Sequence, residues 1–284
     1  MRDFEHLISA ADLSQHYKQS AWSIVDCRFD LMQPDKGHAD YLQGHIPGAV
    51  YADLDRDLAA PVTEKSGRHP LPGVDVFAAL LGRLGIGNDS QVVAYDNAGG
   101  ALAARLWWML RWLGHRRVAV LDGSVEAWHA AGGEIETEVP QVTAQRFRAS
   151  PDHGMLIGTS ELEKELDNSV PPVLVDARDR SRFLGQTEPI DSVAGHIPGA
   201  RNFPFVDTLN SDGRWREAEE LEVLWRDFFS AGPPDSWITM CGSGVTACHL
   251  AISAELAGLA APRLYVGSWS EWIRDPGRPV AGGE

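Results

Sequence analysis

The chain has 284 residues, 44% of them hydrophobic and 23% charged, which excludes a disordered or collagen-like polymer and leaves room for about two ordinary domains. Asp and Glu number 40 against 25 Lys and Arg, a formal charge of −15 at pH 7 that opposes nucleic acid or an anionic membrane as a partner. Any small anionic substrate must then be captured by a local positive feature against the field of the whole molecule.

The N-terminal stretch MRDFEHLISAADLSQHY has no apolar core of signal-peptide length, and nowhere do about 18 apolar residues run together, so a soluble, cytoplasmic, reduced protein is expected. The first strand is predicted over 23–26 (Ser-Ile-Val-Asp) and runs into Cys27 and Arg28. Gly-His-Ile-Pro-Gly-Ala follows at 44–49. Apolar residues at helical spacing cover 74–84, a strand-like run covers 91–95, and a second helical pattern covers 101–113. Gly123-Ser124-Val125-Glu126-Ala127-Trp128 closes the first half. The stretch 134–156 lacks sustained periodicity and reads as a linker, with an extra edge strand as the alternative. Ser160 and Glu163 have capping-box spacing and predict a helix through about Leu166. A strand over 173–176 runs into Ala177 and Arg178, and Gly-His-Ile-Pro-Gly-Ala returns at 195–200. A strand over 237–240, a helix over 247–257 and Gly267-Ser268-Trp269-Ser270-Glu271-Trp272 complete the chain.

The Asp-x-Arg triplet, the hexapeptide, the following strand and the Gly-Ser-x-x-x-Trp element recur at separations of 150, 151, about 145 and 144 residues. One unit has been duplicated. Alternation of strands and helices predicts an α/β fold in which each unit is a parallel sheet flanked by helices. The boundaries drawn this way are 1–133 for the first unit, 134–156 for the linker and 157–284 for the second.

The two copies differ at one informative place. After its strand, the second reads Cys241-Gly242-Ser243-Gly244-Val245-Thr246-Ala247, where the first reads Asp96-Asn97-Ala98-Gly99-Gly100-Ala101. Ligands of open α/β sheets bind beyond the carboxyl ends of strands, where both loops fall. Gly242 and Gly244 let successive N–H groups converge on one point, and the following helix adds its positive end. A cysteine there is set up as a nucleophile, since the thiolate is the reactive form. A phosphatase-like or arsenate-reductase-like cradle would need an arginine six positions on, and that position is Ala247. The three cysteines Cys27, Cys241 and Cys248 form no CxxC pair and no Cys/His cluster, so no disulfide framework, metal site or cofactor is expected.

The doubled Gly-His-Ile-Pro-Gly-Ala and Asp-x-Arg, the Gly-Ser-x-x-x-Trp element and Cys-Gly-Ser-Gly-Val-Thr-Ala together resemble the tandem-domain rhodanese family, over about 20–279. The resemblance implies two tandem rhodanese-like domains, the first inactive and the second cycling through a persulfide on Cys241. The loop is similar to that of the 3-mercaptopyruvate sulfurtransferase branch; thiosulfate enzymes usually carry basic residues where Gly242 and Ser243 stand. Neutral residues there suit a donor with one carboxylate rather than a dianion. That branch usually has donor arginines in an Arg-Phe pair and in a following Glu-Pro-Arg. Arg182-Phe183 matches the first, but the second segment reads Glu188-Pro189-Ile190-Asp191, so another cation substitutes or the donor differs.

The expectation is therefore a sulfurtransferase that takes sulfur from a small anionic donor and hands it to cyanide or to a thiol such as that of thioredoxin. A thiosulfate sulfurtransferase and a non-catalytic persulfide carrier are the alternatives. Cys241 is the nucleophile, and Ser243 relays a proton or binds the donor carbonyl. Arg182 holds the donor anion, while Gly242, Gly244, Val245 and Thr246 shape the cradle, Thr246 chiefly by capping the helix. The resemblance also implies a possible relay from His45 and an aspartate shortly before it, Asp35 being the nearest. His196, Asp26, Arg28, Asp176 and Arg178 read as structural. His69, in Gly67-Arg68-His69-Pro70-Leu71-Pro72, reads as part of a rigid turn whose positive charge could admit anions. Trp269 and Trp272 read as walls of the cleft.

Overall fold

Short apolar runs become the strands of two parallel sheets of identical order, as duplication requires. The computed structural model describes the chain except for residues 1, 2, 231, 233, 235 and 284. In the first sheet β1 (Leu7–Ile8), β2 (Trp22–Asp26), β3 (Val50–Tyr51), β4 (Gln91–Tyr95) and β5 (Val118–Leu121) stand in the order β1-β5-β4-β2-β3. Every residue of β4 is buried, as befits the central strand of a parallel sheet covered on both faces. The helices are α1 (Ala10–His16), α2 (Lys36–Gln43), α3 (Val74–Arg83), α4 (Ala103–Trp112) and α5 (Ser124–Ala130). α4 is apolar almost all round and correspondingly buried, Trp107, Trp108 and Leu110 included.

The second sheet holds β6 (Leu156–Ile157), β7 (Val173–Asp176), β8 (Arg201–Asn202), β9 (Trp237–Met240) and β10 (Arg263–Tyr265) in the order β6-β10-β9-β7-β8. Its helices are α6 (Thr159–Leu166), α7 (Arg180–Phe183), α8 (Ala218–Phe229), α9 (Thr246–Leu256) and α10 (Ser268–Trp272). Trp269 and Trp272 pack with Leu174, Ile238, Met240 and Tyr265 in the core, and the cavity that Trp272 borders, beside Pro198 and Arg278, includes no residue of the cysteine loop. The spacing of Ser160 and Glu163 suggests a capping box, but α6 has no side-chain cap; the Thr159 hydroxyl instead bonds Tyr265 and Glu271. No described helix is long and apolar enough to cross a membrane.

Asp-x-Arg performs the same task in each sheet. Asp26 accepts from Arg28 Nε and Nη2, and Nη2 also reaches the Gly44 carbonyl at 2.7 Å. Asp176 and Arg178 repeat this with the Gly195 carbonyl at 2.8 Å. A bidentate buried pair thus ties each strand end to the turn opening the hexapeptide. The hexapeptide histidines are structural in the same way: His45 Nδ1 lies 2.8 Å from the Tyr41 carbonyl, and His196 Nδ1 lies 2.8 Å from that of Phe183.

The chain divides into two compact units. Unit 1 comprises Met1–Ala60, Leu71–Asp152 and Ser211–Trp215; unit 2 comprises Pro61–Pro70, His153–Asn210 and Arg216–Glu284. Against the boundaries drawn from the sequence, residues 61–70 group with the second sheet, while residues 134–152 and 211–215 group with the first. In 134–152, backbone bonds from Glu136 to His45 and from Gln145 to Gly82 hold the extended chain to unit 1. These attachments are made by backbone and by single side chains, which carry no periodic signal.

Candidate active site

The loop between β9 and α9 is built around a sulfur atom. Cys241 is 2% exposed, and the Gly244 N–H donates to its Sγ at 3.1 Å. Gly244 has φ +76°, in the left-handed region that costs glycine nothing. From the other side, the Cys241 N–H donates to Ser268 Oγ (3.1 Å), while Trp269 and Ser270 N–H groups donate to the carbonyls of Cys241 and Gly242. Ser268 is itself at φ +52°, an uncommon conformation for a residue with a side chain, held in place by its hydroxyl bond to the Tyr265 carbonyl. The repeated Gly-Ser-x-x-x-Trp element therefore supports the cysteine loop, a role that its recurrence alone did not reveal.

Unit 1 shows what this loop design holds. Asp96 stands at the end of β4, and its carboxylate accepts the N–H groups of Ala98, Gly100, Leu102 and Ala103 and the hydroxyl of Ser124. Ser124, at φ +62°, repeats the unusual backbone of Ser268. A fully buried carboxylate is thus solvated by the protein instead of by water. Asp96→Ala is expected to strand these donors and destabilise unit 1 by about 2–4 kcal/mol, measured by urea unfolding; a cost below about 0.5 kcal/mol would contradict this description.

Ser243, 6% exposed, has its Oγ 2.7 Å from Nδ1 of His69, which is 2% exposed. This corrects the relay drawn from the sequence. His45 spends its ring on the carbonyls of Tyr41 and Glu138, and Asp35 is an exposed partner of Arg56. The serine's imidazole comes from the segment 61–70, which groups with unit 2. The cap position of α9 falls on Val245 with no side-chain cap, so Thr246 opens the helix and does not cap it.

A group of arginines and carboxylates stands over the loop. Arg182, on α7, donates through Nε and Nη2 to Glu188 and through Nη2 to Asp191 at 3.1 Å. Arg68 Nη1 donates to the other Asp191 oxygen at 2.5 Å. Arg178 Nη1 lies 3.6 Å from Glu188. Burial pushes the Glu188 carboxyl up, but Arg182, with the Asp191 and Ile190 N–H groups, outweighs burial and holds it below the usual glutamate range. Its contribution to stability is present above the ordinary glutamate pKa and is lost as the pH falls through the depressed one. Ile190, where a second arginine was expected, is 38% exposed.

A profile of the rhodanese-like domain matches residues 9–131 and again 159–275. The chain is 46% identical over 280 residues to a probable 3-mercaptopyruvate sulfurtransferase of Pseudomonas aeruginosa, covering 98% of each. It is 40% identical to a putative thiosulfate sulfurtransferase of Mycobacterium tuberculosis, over 98% of this chain and 97% of the other. Among solved structures, the 3-mercaptopyruvate sulfurtransferase from Leishmania major superposes with a TM-score of 0.84 at 31% identity, over 96% of this chain and 76% of that one.

Proposed function

The chain belongs to the rhodanese family, and from that premise we propose that it moves a sulfane sulfur from 3-mercaptopyruvate to a thiol or cyanide acceptor through a persulfide on Cys241. The observation that carries this reading is the contrast between the twin loops. Unit 1 fills its loop with a carboxylate bonded by four backbone N–H groups, and unit 2 puts a cysteine sulfur at the corresponding place, with the Gly244 N–H already donated to it. An anion at that point, thiolate or persulfide, is solvated by protein dipoles fixed before the reaction begins.

In the reaction, Arg182 grips the donor carboxylate, and the Cys241 thiolate attacks the donor sulfur. The S–S bond forms as the C–S bond breaks, leaving Cys241-S-SH and the enolate of pyruvate, which takes a proton on carbon. Ser243, bonded to His69, is the hydroxyl placed to deliver that proton. An acceptor thiol, of which thioredoxin is the protein example, then attacks the outer sulfur and restores the thiolate. No cofactor enters. The reading places this chemistry in a reducing cytoplasm, in keeping with three free cysteines.

Charge selects the donor. Around the loop Arg68, Arg178 and Arg182 face Asp176, Glu188 and Asp191, three against three. With those three pairs matched in charge, a dianion beside a thiolate is opposed more strongly than a monoanion. Steady-state kinetics with both donors are therefore expected to give a kcat/KM at least about tenfold higher for 3-mercaptopyruvate than for thiosulfate, about 1.4 kcal/mol in transition-state free energy. A tenfold preference for thiosulfate overturns the choice of donor. Loading of Cys241 without turnover of either donor would instead identify a persulfide carrier.

A further inference from the structure

The twin units also differ where the Gly-Ser-x-x-x-Trp element ends. Trp128 and Trp272 correspond, and both are buried. Each donates its indole N–H to a carbonyl of the chain that follows, Glu134 at 2.8 Å and Pro279 at 2.9 Å. α1 and α6 correspond too, since Ala10 and Thr159 each open a helix two residues after the preceding strand ends. From those starts Tyr17 matches Leu166 and Lys18 matches Asp167, and Tyr17 and Leu166 each pack against the core of their own unit.

In unit 1 the chain itself covers the tryptophan. The Tyr17 ring stands edge-on to Trp128 with centroids 5.3 Å apart, and its hydroxyl donates to Glu134 at 2.9 Å. Lys18 Nζ reaches the same carboxylate oxygen at 2.9 Å and lies 5.1 Å from the centre of the Tyr17 ring. A phenol and an ammonium are thus held side by side. Unit 2 has neither: Leu166 stands in place of the ring, and an acid stands in place of the cation.

A cavity of about 470 Å³ opens there, bordered by Leu166, Ile197, Pro198, Trp272 and Pro279, with the exposed Asp167 and Asp275 beside them. Arg278 borders it as well but is already committed, Nε to Glu163 at 2.8 Å and Nη1 to the carbonyls of Glu271 and Trp272. Asp167 and Asp275 have no ion-pair partner among the described residues, so the rim carries uncompensated negative charge. Such a volume takes a single ring, the apolar walls stabilise it by removing it from water, and the carboxylates favour a cation attached to it.

We propose that this cavity binds a small aromatic monocation, a ring carrying an ammonium on a short chain. The ring lies beside Trp272 in the place that Tyr17 takes beside Trp128, and the ammonium faces Asp167 and Asp275. No residue of the cysteine loop borders the cavity, so this binding stands apart from sulfur transfer.

Tyramine, which joins a phenol to an ammonium, is the probe. Titration calorimetry of the full chain is expected to give a Kd of about 1 mM or lower, in keeping with so few ligand atoms. 4-Hydroxyphenylacetate, the same ring with a carboxylate, and n-butylamine, a cation without a ring, are each expected to bind at least about fivefold more weakly. Asp167→Lys restores the charge found in unit 1 on an exposed side chain at a helix C-terminus, where a cation is well tolerated. It should weaken tyramine at least about fivefold. Leu166→Tyr supplies the ring from the chain itself and should weaken tyramine by as much; if that variant does not fold, Asp167→Lys decides alone. A wild-type Kd for tyramine above about 1 mM, or a loss smaller than about fivefold with either control compound or with Asp167→Lys, overturns the proposal.

Discussion

Cys241→Ser is expected to lower sulfur transfer at least about a thousandfold while leaving the fold intact. The substitution keeps the size and position of a buried, hydrogen-bonding side chain, and the hydroxyl can still accept the Gly244 N–H that now donates to sulfur at 3.1 Å. What it removes is chemical: a serine hydroxyl is not ionised near neutrality and forms no persulfide. Intact-protein mass spectrometry after donor treatment should show wild type heavier by one sulfur atom, with the mass mapped to the peptide carrying Cys241, and no gain in the variant. The other two thiols are internal controls. Cys27 is buried and pushed well up, first by desolvation and then by Asp26, Asp96 and Asp57, which makes it a poor nucleophile. Cys248 lies inside α9 and is fully buried. Sulfur gained by Cys27 or Cys248 with activity retained in Cys241→Ser would refute the mechanism.

Gly244→Ala is expected to damage both stability and rate. At φ +76° an alanine pays the left-handed penalty of about 1–2 kcal/mol. Its Cβ would also stand 2.5 Å from the Val266 carbonyl oxygen, a backbone atom that can yield only by moving the strand end that leads into Ser268. That movement disturbs both partners of the cysteine, the Gly244 N–H on its sulfur and the Ser268 hydroxyl on its own N–H. The expected result is a melting temperature lower by about 5 °C or more and kcat reduced about 100-fold. Gly258→Ala is the matched control, since Gly258 has the same φ of +76° and nothing within 4 Å of its Cβ. It should show the backbone penalty alone, with kcat unchanged. Equal behaviour of the two variants would mean that the close approach of Gly244 to Val266 has no part in holding the loop.

Local patterns carried much of this molecule. Gly-His-Ile-Pro-Gly-Ala and Asp-x-Arg, each present twice, announced a duplicated unit, and the two sheets have the same strand order. The helices expected over 74–84, 101–113 and 247–257 appear as α3, α4 and α9 with ends shifted by one or two residues. The cysteine loop could be picked out because its twin carries Asp96, a contrast visible without any structure. The partner of Ser243 could not. His45 lies in a repeated motif and His69 in a segment that reads as a rigid, positively charged turn, yet it is His69 that meets the serine, across 174 residues of chain. The meeting of Arg68 and Arg182 on Asp191 was equally illegible, since Arg68 and Asp191 are 123 residues apart.

By itself the amino-acid order determined the class of fold, its doubling and the place of the cysteine loop, because hydrophobic period, turn glycines and repeated motifs act over a few residues and are written contiguously. Only the tertiary structure decided which imidazole, which arginines and which carboxylates gather at that loop. Those choices depend on the segment 61–70 grouping with the second sheet, and a loop held by individual hydrogen bonds leaves no periodic trace in its own residues.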